Sequence, residues 1–280
     1  MSFFSFFETP LRSPYWNLAI EEALALHLVR FDLKGGIRFW RNPSTIVLGL
    51  SEKPEETIQS NVLKDFQKVD QNYLLSKKPQ LPLYISRRAS GGGTVYQTAS
   101  ENLNFSLFLN LEKYPSFFGV KESYQSLLGV VCKALENIGI EASPQGKSDL
   151  AIESGSAWKK ISGNAQFRKK NCLVQHGTLI LSDNLIKTVT SILRHPPEEP
   201  SYRSGRNHRD FLTSLPASFP LDSFQKSLTS LWMEKLGVPG EDFDFLGTRF
   251  SSFRKRVYLE SEKLRVQKYS GIPYILRREV

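Results

Sequence analysis

Cysteine is scarce in this sequence: Cys132 and Cys172 are the only two in 280 residues. Two thiols in so long a chain do not make a disulfide framework, and they fit a reducing cytoplasm. The four histidines are scattered, without the paired His/Cys spacing of a metal site. No apolar run approaches the ~20 residues needed to cross a bilayer, so no membrane partner is expected. No Gly-x-x-x-x-Gly-Lys-Ser/Thr phosphate loop occurs. Residues 1–8 are aromatic, lack a basic stretch and end at a charge, so they read as a first strand rather than a signal peptide. No dense Lys/Arg tract with interleaved aromatics marks a nucleic-acid surface. Internal repeats and low-complexity tracts are missing as well.

What is present begins with a basic balance. The formal charge of +9 points to an acidic partner, whether nucleic acid, nucleotide or acidic protein domain. The length allows a well-buried core in one large or two modest domains. The most unusual stretch is Arg87-Arg88-Ala89-Ser90-Gly91-Gly92-Gly93-Thr94-Val95-Tyr96. Three consecutive glycines weaken any regular element, because glycine loses the most entropy on ordering. Close backbone packing offsets that cost in one reading. In another, a ligand lies on exposed N–H groups, and the arginine forks supply charge for a carboxylate or phosphate. A plain glycine turn with two surface arginines is the bland alternative.

Along the chain, Ser13-Pro14 opens a helix whose core-facing residues are Leu18, Ile20, Ala23, Leu24 and Leu28. Asn17, Glu21 and Glu22 lie early in it, where acids suit the dipole. Strands are expected at 37–40, 46–49 and 83–85, with a largely helical pattern over 53–75 that Ser76-Lys77-Lys78-Pro79 ends. Leu103, Phe105, Leu107 and Leu109 alternate as a half-buried strand, and a helix follows over about 121–138 with Cys132 beside its inner stripe. Three strands then form an antiparallel meander at 149–153, 158–168 and 173–181, with a turn at Ser154-Gly155-Ser156. Folding about residue 155 sets Lys160 opposite Leu150, next to Asp149, and folding about 169–170 sets Gly163 opposite His176. Asp149, Lys160 and His176 thus fall on one small sheet, and Gly163 marks a bulge or a close backbone approach. Each has a bland reading too: a solvated lysine, a hydrogen-bonded histidine, an aspartate capping a turn. A helix at 183–193 ends at the linker-like His195-Pro196-Pro197-Glu198-Glu199-Pro200. The basic segment 202–209 either reaches a nucleotide phosphate or serves as a surface loop or docking element. Helices at 222–236 and 257–269, with a loop at 237–240 between them, complete the chain.

Taken together, the motifs resemble the lipoate–protein ligase A family. They are Asn17-Leu18-Ala19-Ile20-Glu21-Glu22, Arg38-Phe39-Trp40 with Val47-Leu48-Gly49, Arg87-Arg88-x-Ser90-Gly91-Gly92-Gly93-Thr94-Val95, Leu103-Asn104-Phe105-Ser106, Asp149-Leu150, Lys160-Ile161-Ser162-Gly163-Asn164-Ala165-Gln166 and His176-Gly177-Thr178-Leu179. They run in collinear order over about residues 1–183. The resemblance implies an α/β fold of the α+β type: a mixed, largely antiparallel sheet flanked by helices, shared with biotin ligases. It divides the chain into a catalytic domain at 1–195 and a smaller C-terminal accessory region at 196–280. It implies that ATP activates lipoate to lipoyl-adenylate, and that the acyl group passes to a lysine of an acceptor lipoyl domain. Lipoate or octanoate is the expected acid, and Mg²⁺ accompanies ATP. An acidic lipoyl domain is the expected protein partner, nucleic acid is not, and the expected state is a cytoplasmic monomer.

The resemblance also implies roles. Lys160 holds the carboxylate and acyl-phosphate oxygens as charge builds on them. Arg88 meets the phosphate or carboxylate. Ser90 and the glycines Gly91, Gly92 and Gly93 pack against the acyl-adenylate, where a Cβ would clash. Asp149 places ATP and offers a Mg²⁺ contact. Gly163, Asn104 and His176 line the site. The chain departs from the family pattern in four places. Gln97 stands where the family has a histidine, the glycine before the Leu-Asn strand is absent, 98–102 is one residue longer, and the segment between Glu52 and Leu83 is longer. The rivals are an octanoyl/lipoyl transferase of the same fold, which acts through a cysteine without ATP, and a non-catalytic module that binds lipoate or a lipoyl domain. The transferase cysteine would fall between Pro144 and Lys160, where there is none.

Overall fold

The computed structural model describes residues 3–8, 11–76, 79–155, 157–238 and 244–280. Residues 1 and 2 of the expected first strand, Lys77 and Lys78, Ser156 of the expected turn, and Pro239 and Gly240 of the expected loop lie outside them. The first half contains β1 (Phe3–Phe7), α1 (Pro14–Leu28), β2 (Gly35–Trp40), β3 (Thr45–Leu48), α2 (Pro54–Thr57), α3 (Ser60–Gln67), α4 (Gln71–Leu75), β4 (Tyr84–Arg87), β5 (Val95–Gln97) and β6 (Asn102–Asn110). The second half contains α5 (Val120–Glu136), β7 (Ser143–Gln145), β8 (Asp149–Ser154), β9 (Ala157–Lys169), β10 (Cys172–Ile180), α6 (Asp183–Ile192), α7 (His208–Phe211), α8 (Leu221–Lys235), α9 (Ser251–Leu264) and α10 (Ile272–Arg277). A π-helical segment, Arg265–Tyr269, joins α9 towards α10.

The strands form a seven-stranded sheet, ordered β1-β2-β6-β10-β9-β8-β7, and a three-stranded sheet, ordered β4-β3-β5. Among the described strands, β1–β2 and β3–β4 pair in parallel and the other pairs are antiparallel, so the fold is mixed and largely antiparallel, as the resemblance implied. The large sheet and its helices enclose one apolar cluster, including Phe4, Phe39, Phe105, Val131 and Trp232. A second cluster, including Tyr15, Ile46, Ile85 and Ile275, backs the small sheet.

Ser13 caps α1 as its type predicts, its hydroxyl accepting from the Trp16 N–H, with Pro14 in the first turn. The helix is not one-sided. The large sheet and α9 both cover it, and Glu21 and Glu22 are as buried as its leucines. Sequence periodicity marks one apolar face and cannot show that the other is also covered.

The meander forms where expected, with its register shifted. Lys170 and Asn171 both take positive φ, 48° and 60°, as a tight two-residue hairpin turn requires. The turn therefore sits one residue later than a fold about 169–170. Gly163 faces Thr178, and His176 faces Ala165, rather than each other. In the first hairpin, Leu150 pairs with Ser162 and Ala151 with Lys160, leaving Ile161 as the extra residue of a bulge. Lys160 thus faces Ala151 rather than Leu150, while Asp149 faces Gly163.

Residues beyond 195 pack into the same two clusters. Phe224, Leu228 and Trp232 of α8 join the main core, and the Trp232 indole donates to the Gly36 carbonyl at 3.0 Å. Arg87 ties α10 to the small sheet. Its guanidinium donates to the carbonyls of Tyr274, Ile275 and Leu276 on one side and of Gly49, Leu50 and Glu52 on the other. It is 1% exposed, and its bonds to the Tyr274, Ile275 and Gly49 carbonyls are buried, away from water. Arg87→Ala is expected to lower unfolding stability by about 3 kcal/mol, read by denaturant unfolding, because it strands several buried acceptors at once. An unchanged midpoint would contradict this role.

Candidate active site

The glycine loop joins β4 to β5 and is pinned from below. The Arg88 N–H donates to the Leu48 carbonyl at 3.0 Å, and the Leu50 N–H to the Ser90 carbonyl at 2.8 Å. Gly92 has φ +83°, a conformation L side chains rarely adopt. Its carbonyl also lies against Gly49: a Cβ on Gly49 would fall 1.7 Å from the Gly92 oxygen. Close backbone packing is therefore real, and it is made by Gly49 with Gly92. In front of Gly91 and Gly93 a Cβ would meet nothing within 4 Å, so no described protein neighbour demands glycine there.

The two arginines part company at the strand end, where successive side chains point to opposite sides. Arg88 is buried and folds back on its own loop. Nε donates to Ser90 Oγ at 2.9 Å, Nη1 to the Val47 carbonyl at 3.2 Å, and Nη2 to the carbonyls of Gly91 and Gly93 at 2.7 and 2.9 Å. Burial pulls its guanidinium down to about 10, still cationic at neutral pH. The positive charge lies directly under the glycine loop and shapes it.

Ser90 leads into a buried relay. His176 Nε2 lies 2.6 Å from Ser90 Oγ, and His176 Nδ1 lies 2.8 Å from Glu21 Oε2. Glu21 Oε1 accepts from Ser106 Oγ at 2.6 Å, which itself accepts from the Trp40 indole at 3.0 Å. Arg88 Nε donates to Ser90 Oγ, and the Ser90 hydroxyl and both ring nitrogens of His176 continue one line of hydrogen bonds to Glu21. Burial pushes the Glu21 carboxyl up, yet His176, Ser106 and Arg38 outweigh it and hold the group below the usual carboxylate range. Glu21 was placed by sequence at a helix start, but it is a buried anchor. The signal was its position three residues from both Leu18 and Leu24, on the apolar stripe, where an unpaired acid is costly.

Gln97 and Asn104 belong to a neighbouring amide network. The Gln97 carbonyl oxygen accepts from Asn42 at 2.7 Å and Asn104 at 3.3 Å, and its amide donates to Thr178 Oγ1 at 2.9 Å. Thr178 Oγ1 donates in turn to Asn104 Oδ1 at 2.7 Å. Gln97 thus accepts twice and donates once, which one neutral imidazole cannot match.

The second half of the site sits on β8 and β9. Lys160 Nζ is 2.8 Å from Asp149 Oδ1, with side chains 22% and 10% exposed. Gly163 is the floor beneath this lysine: a Cβ there would stand 3.0 Å from Lys160 Cε and Nζ. The bulge at Ile161 and the Gly163 gap together let Lys160 lie back towards Asp149. Tyr202 Oη donates to Asp149 Oδ2 at 2.9 Å. Sequence reading singled out the segment carrying Tyr202 without seeing this contact, which spans 53 residues. A Cβ on Gly92 would lie 4.0 Å from that of Ala165, which pairs with His176 on the adjoining strand, so the glycine loop stands over the same sheet.

Arg88, Ser90, the glycines and His176 therefore form one connected cluster, and Asp149, Lys160 and Gly163 another beside it. Among the described residues, the Asn104 side chain bonds to Gln97 and Thr178 and to no side chain of either cluster. Among the described residues, no group of three or more His, Cys, Asp or Glu side chains could hold a metal ion. A resident metal does not fit. A Mg²⁺ arriving on nucleotide phosphates asks for only one or two carboxylates, and the carboxylate beside Lys160 is that of Asp149. The thiols are unsuited to nucleophilic work: burial pushes Cys132 up to about 11 and Cys172 higher still.

Comparison with known proteins agrees with this geometry. The chain is 32% identical over 184 residues to lipoate-protein ligase LplJ of Bacillus subtilis, covering 66% of this chain and 47% of that protein. It is 28% identical over 245 residues to lipoate-protein ligase A of Bdellovibrio bacteriovorus, covering 80% and 63%. The chain thus spans about half to under two thirds of these curated relatives. Among solved structures, a chain from a bi-partite lipoate protein ligase of Thermoplasma acidophilum, studied with its E2 lipoyl domain, matches with TM-score 0.72 at 19% identity over 100% of this chain and 99% of that one. A lipoate-protein ligase A bound with ATP matches with TM-score 0.67 at 18% identity over 99% of both. At these identities the likeness is one of fold. The family model for the lipoyl protein ligase A/B catalytic domain matches residues 13–230, well over half of the sequence, and the chain belongs to that family.

Proposed function

We propose that this protein is an ATP-dependent lipoate–protein ligase. The observation that carries the reading is the pairing of Lys160 with Asp149 beside a glycine loop whose outer face is open. A cation, a carboxylate and free backbone are what joining a carboxylic acid to a nucleotide requires. The relatives' names, and the ATP-bound structure of similar fold, support the same assignment.

In the first step, a carboxylate oxygen of lipoate attacks the α-phosphorus of ATP, the bond to the β-phosphate oxygen breaks, and pyrophosphate leaves. Lys160 offsets the charge shared between carboxylate and phosphate, which is worth most where it is preorganised and shielded from water. Asp149 would hold the Mg²⁺ that accompanies the nucleotide substrate, which would offset phosphate charge. Arg88 keeps the glycine loop in shape and its charge beneath the ligand. In the second step, the amine of an acceptor lysine attacks the acyl carbonyl and AMP leaves. The acceptor is a small lipoyl domain, and the excess of basic residues on this chain assists encounter with an acidic one. The residues before and after 195 act as one unit here, because the later helices share both cores. We place the protein in the cytoplasm as a monomer, consistent with its two reduced thiols.

Incubation with ATP, Mg²⁺, lipoate and a lipoyl domain should add one lipoyl group to one acceptor lysine, read by mass spectrometry. Modification only when lipoyl-adenylate is supplied would move the activation step to a missing partner. No modification under either condition would overturn the assignment.

A further inference from the structure

The segment from Arg194 to Thr213 crosses the site and is fastened at both ends. At its start the Arg194 N–H donates to the Thr57 carbonyl at 2.9 Å, and at its end the Thr213 N–H donates to the Lys160 carbonyl at 3.0 Å. Between them, Arg206 Nη1 donates to the Trp158 carbonyl at 3.1 Å. The Tyr202 ring packs on Phe211 with centroids 5.1 Å apart and passes beside Gly146, where a Cβ would stand 3.7 Å from Tyr202 Cε1. A ring held this firmly delivers its hydroxyl to one place, which is Asp149 Oδ2.

We propose that Tyr202 is a positioning residue for the adenylation step, a role that rests on the ligase reading above. The Asp149 carboxylate has two oxygens and two partners, Lys160 on Oδ1 and Tyr202 on Oδ2. With Tyr202 in place, the carboxylate cannot turn both oxygens to the lysine. Lys160 is then held by a single contact and stays free to move to the reacting oxygens. Without the hydroxyl, Oδ2 loses its donor while Lys160 remains on the other oxygen, and the plane rotates to share the lysine. Lys160 is then held by the wrong partner, and Asp149 is turned from its place. No proton is transferred by Tyr202: burial and the neighbouring Asp149 push its hydroxyl far above its ordinary value, so it serves as a donor throughout.

The test is Tyr202→Phe, which keeps the ring and its packing on Phe211. Lipoate-dependent pyrophosphate release is measured for both proteins, with thermal unfolding alongside. The expected result is a fall in kcat of about tenfold, the usual scale of one hydrogen bond to a charged group. The lipoate KM should stay within about twofold and the melting temperature within about 2 °C, because the hydroxyl touches neither the acid nor the core. A kcat within about twofold of the parent would overturn the proposal. So would a drop in kcat accompanied by a lower melting temperature and a raised lipoate KM, since that pattern belongs to a strap that merely holds the fold. If the parent protein releases no pyrophosphate in the same assay, the ligase reading fails first and the Tyr202 role falls with it. An active parent with an unaffected variant removes Tyr202 alone.

Discussion

Lys160→Ala is expected to lower lipoate-dependent pyrophosphate release by about a thousandfold, the upper scale for removing one preorganised charge-stabilising group. The lysine is partly exposed and no part of either apolar cluster. Its loss leaves the Asp149 carboxylate with the Tyr202 hydroxyl as a donor, so the fold is retained. The prediction therefore has two readouts that must separate: activity collapses while the melting temperature moves by only a few degrees, about the effect of one partly solvated ion pair. Near-normal turnover would show that charge at this position is not needed. Equal loss of activity and stability would mean that the pair supports the sheet rather than the reaction.

The second large effect concerns a residue with no polar side chain. Gly49→Ala places a methyl group 1.7 Å from the Gly92 carbonyl oxygen, and backbone cannot turn aside as a flexible side chain can. The glycine loop must lift from β3. Its shape is also set by Arg88, whose bonds to the Gly91 and Gly93 carbonyls require the loop where it is. Displacement of about 1 Å at a substrate-binding backbone costs about a hundredfold in rate. The expected result is that loss in adenylation, with stability lowered by about 1–3 kcal/mol, the range for overpacking. Gly91→Ala and Gly93→Ala make the contrast, because the protein leaves room for both. If they also lose activity while stability holds, the ligand occupies the space in front of them. A fully active Gly49→Ala would contradict the close approach.

The meander was legible because alternation and short turns are local properties, and they brought Asp149, Lys160 and His176 to one sheet before any fold was known. Its register was not, because one positive-φ pair at Lys170-Asn171 and one extra residue at Ile161 each shift every partner along the ladder. The division of labour between Arg87 and Arg88 was also hidden. It depends on α10, which begins at Ile272, 185 residues after Arg87. Glu21, Gly49 and Tyr202 share that cause: each matters through a partner on a distant element. The helices beyond 196 carried no recognisable motif, yet Trp232 reaches the backbone of Gly36 and α9 packs on α1, contacts whose energy is apolar burial and leaves little pattern in the chain.

The central claim is that this site joins lipoate to a nucleotide, and pyrophosphate release by the pure protein with ATP, Mg²⁺ and lipoate, without acceptor, tests it most directly. The account predicts release that depends on lipoate and is abolished in Lys160→Ala. Absence of release would contradict it, and absence also of acceptor modification from supplied lipoyl-adenylate would favour a module that binds without catalysing.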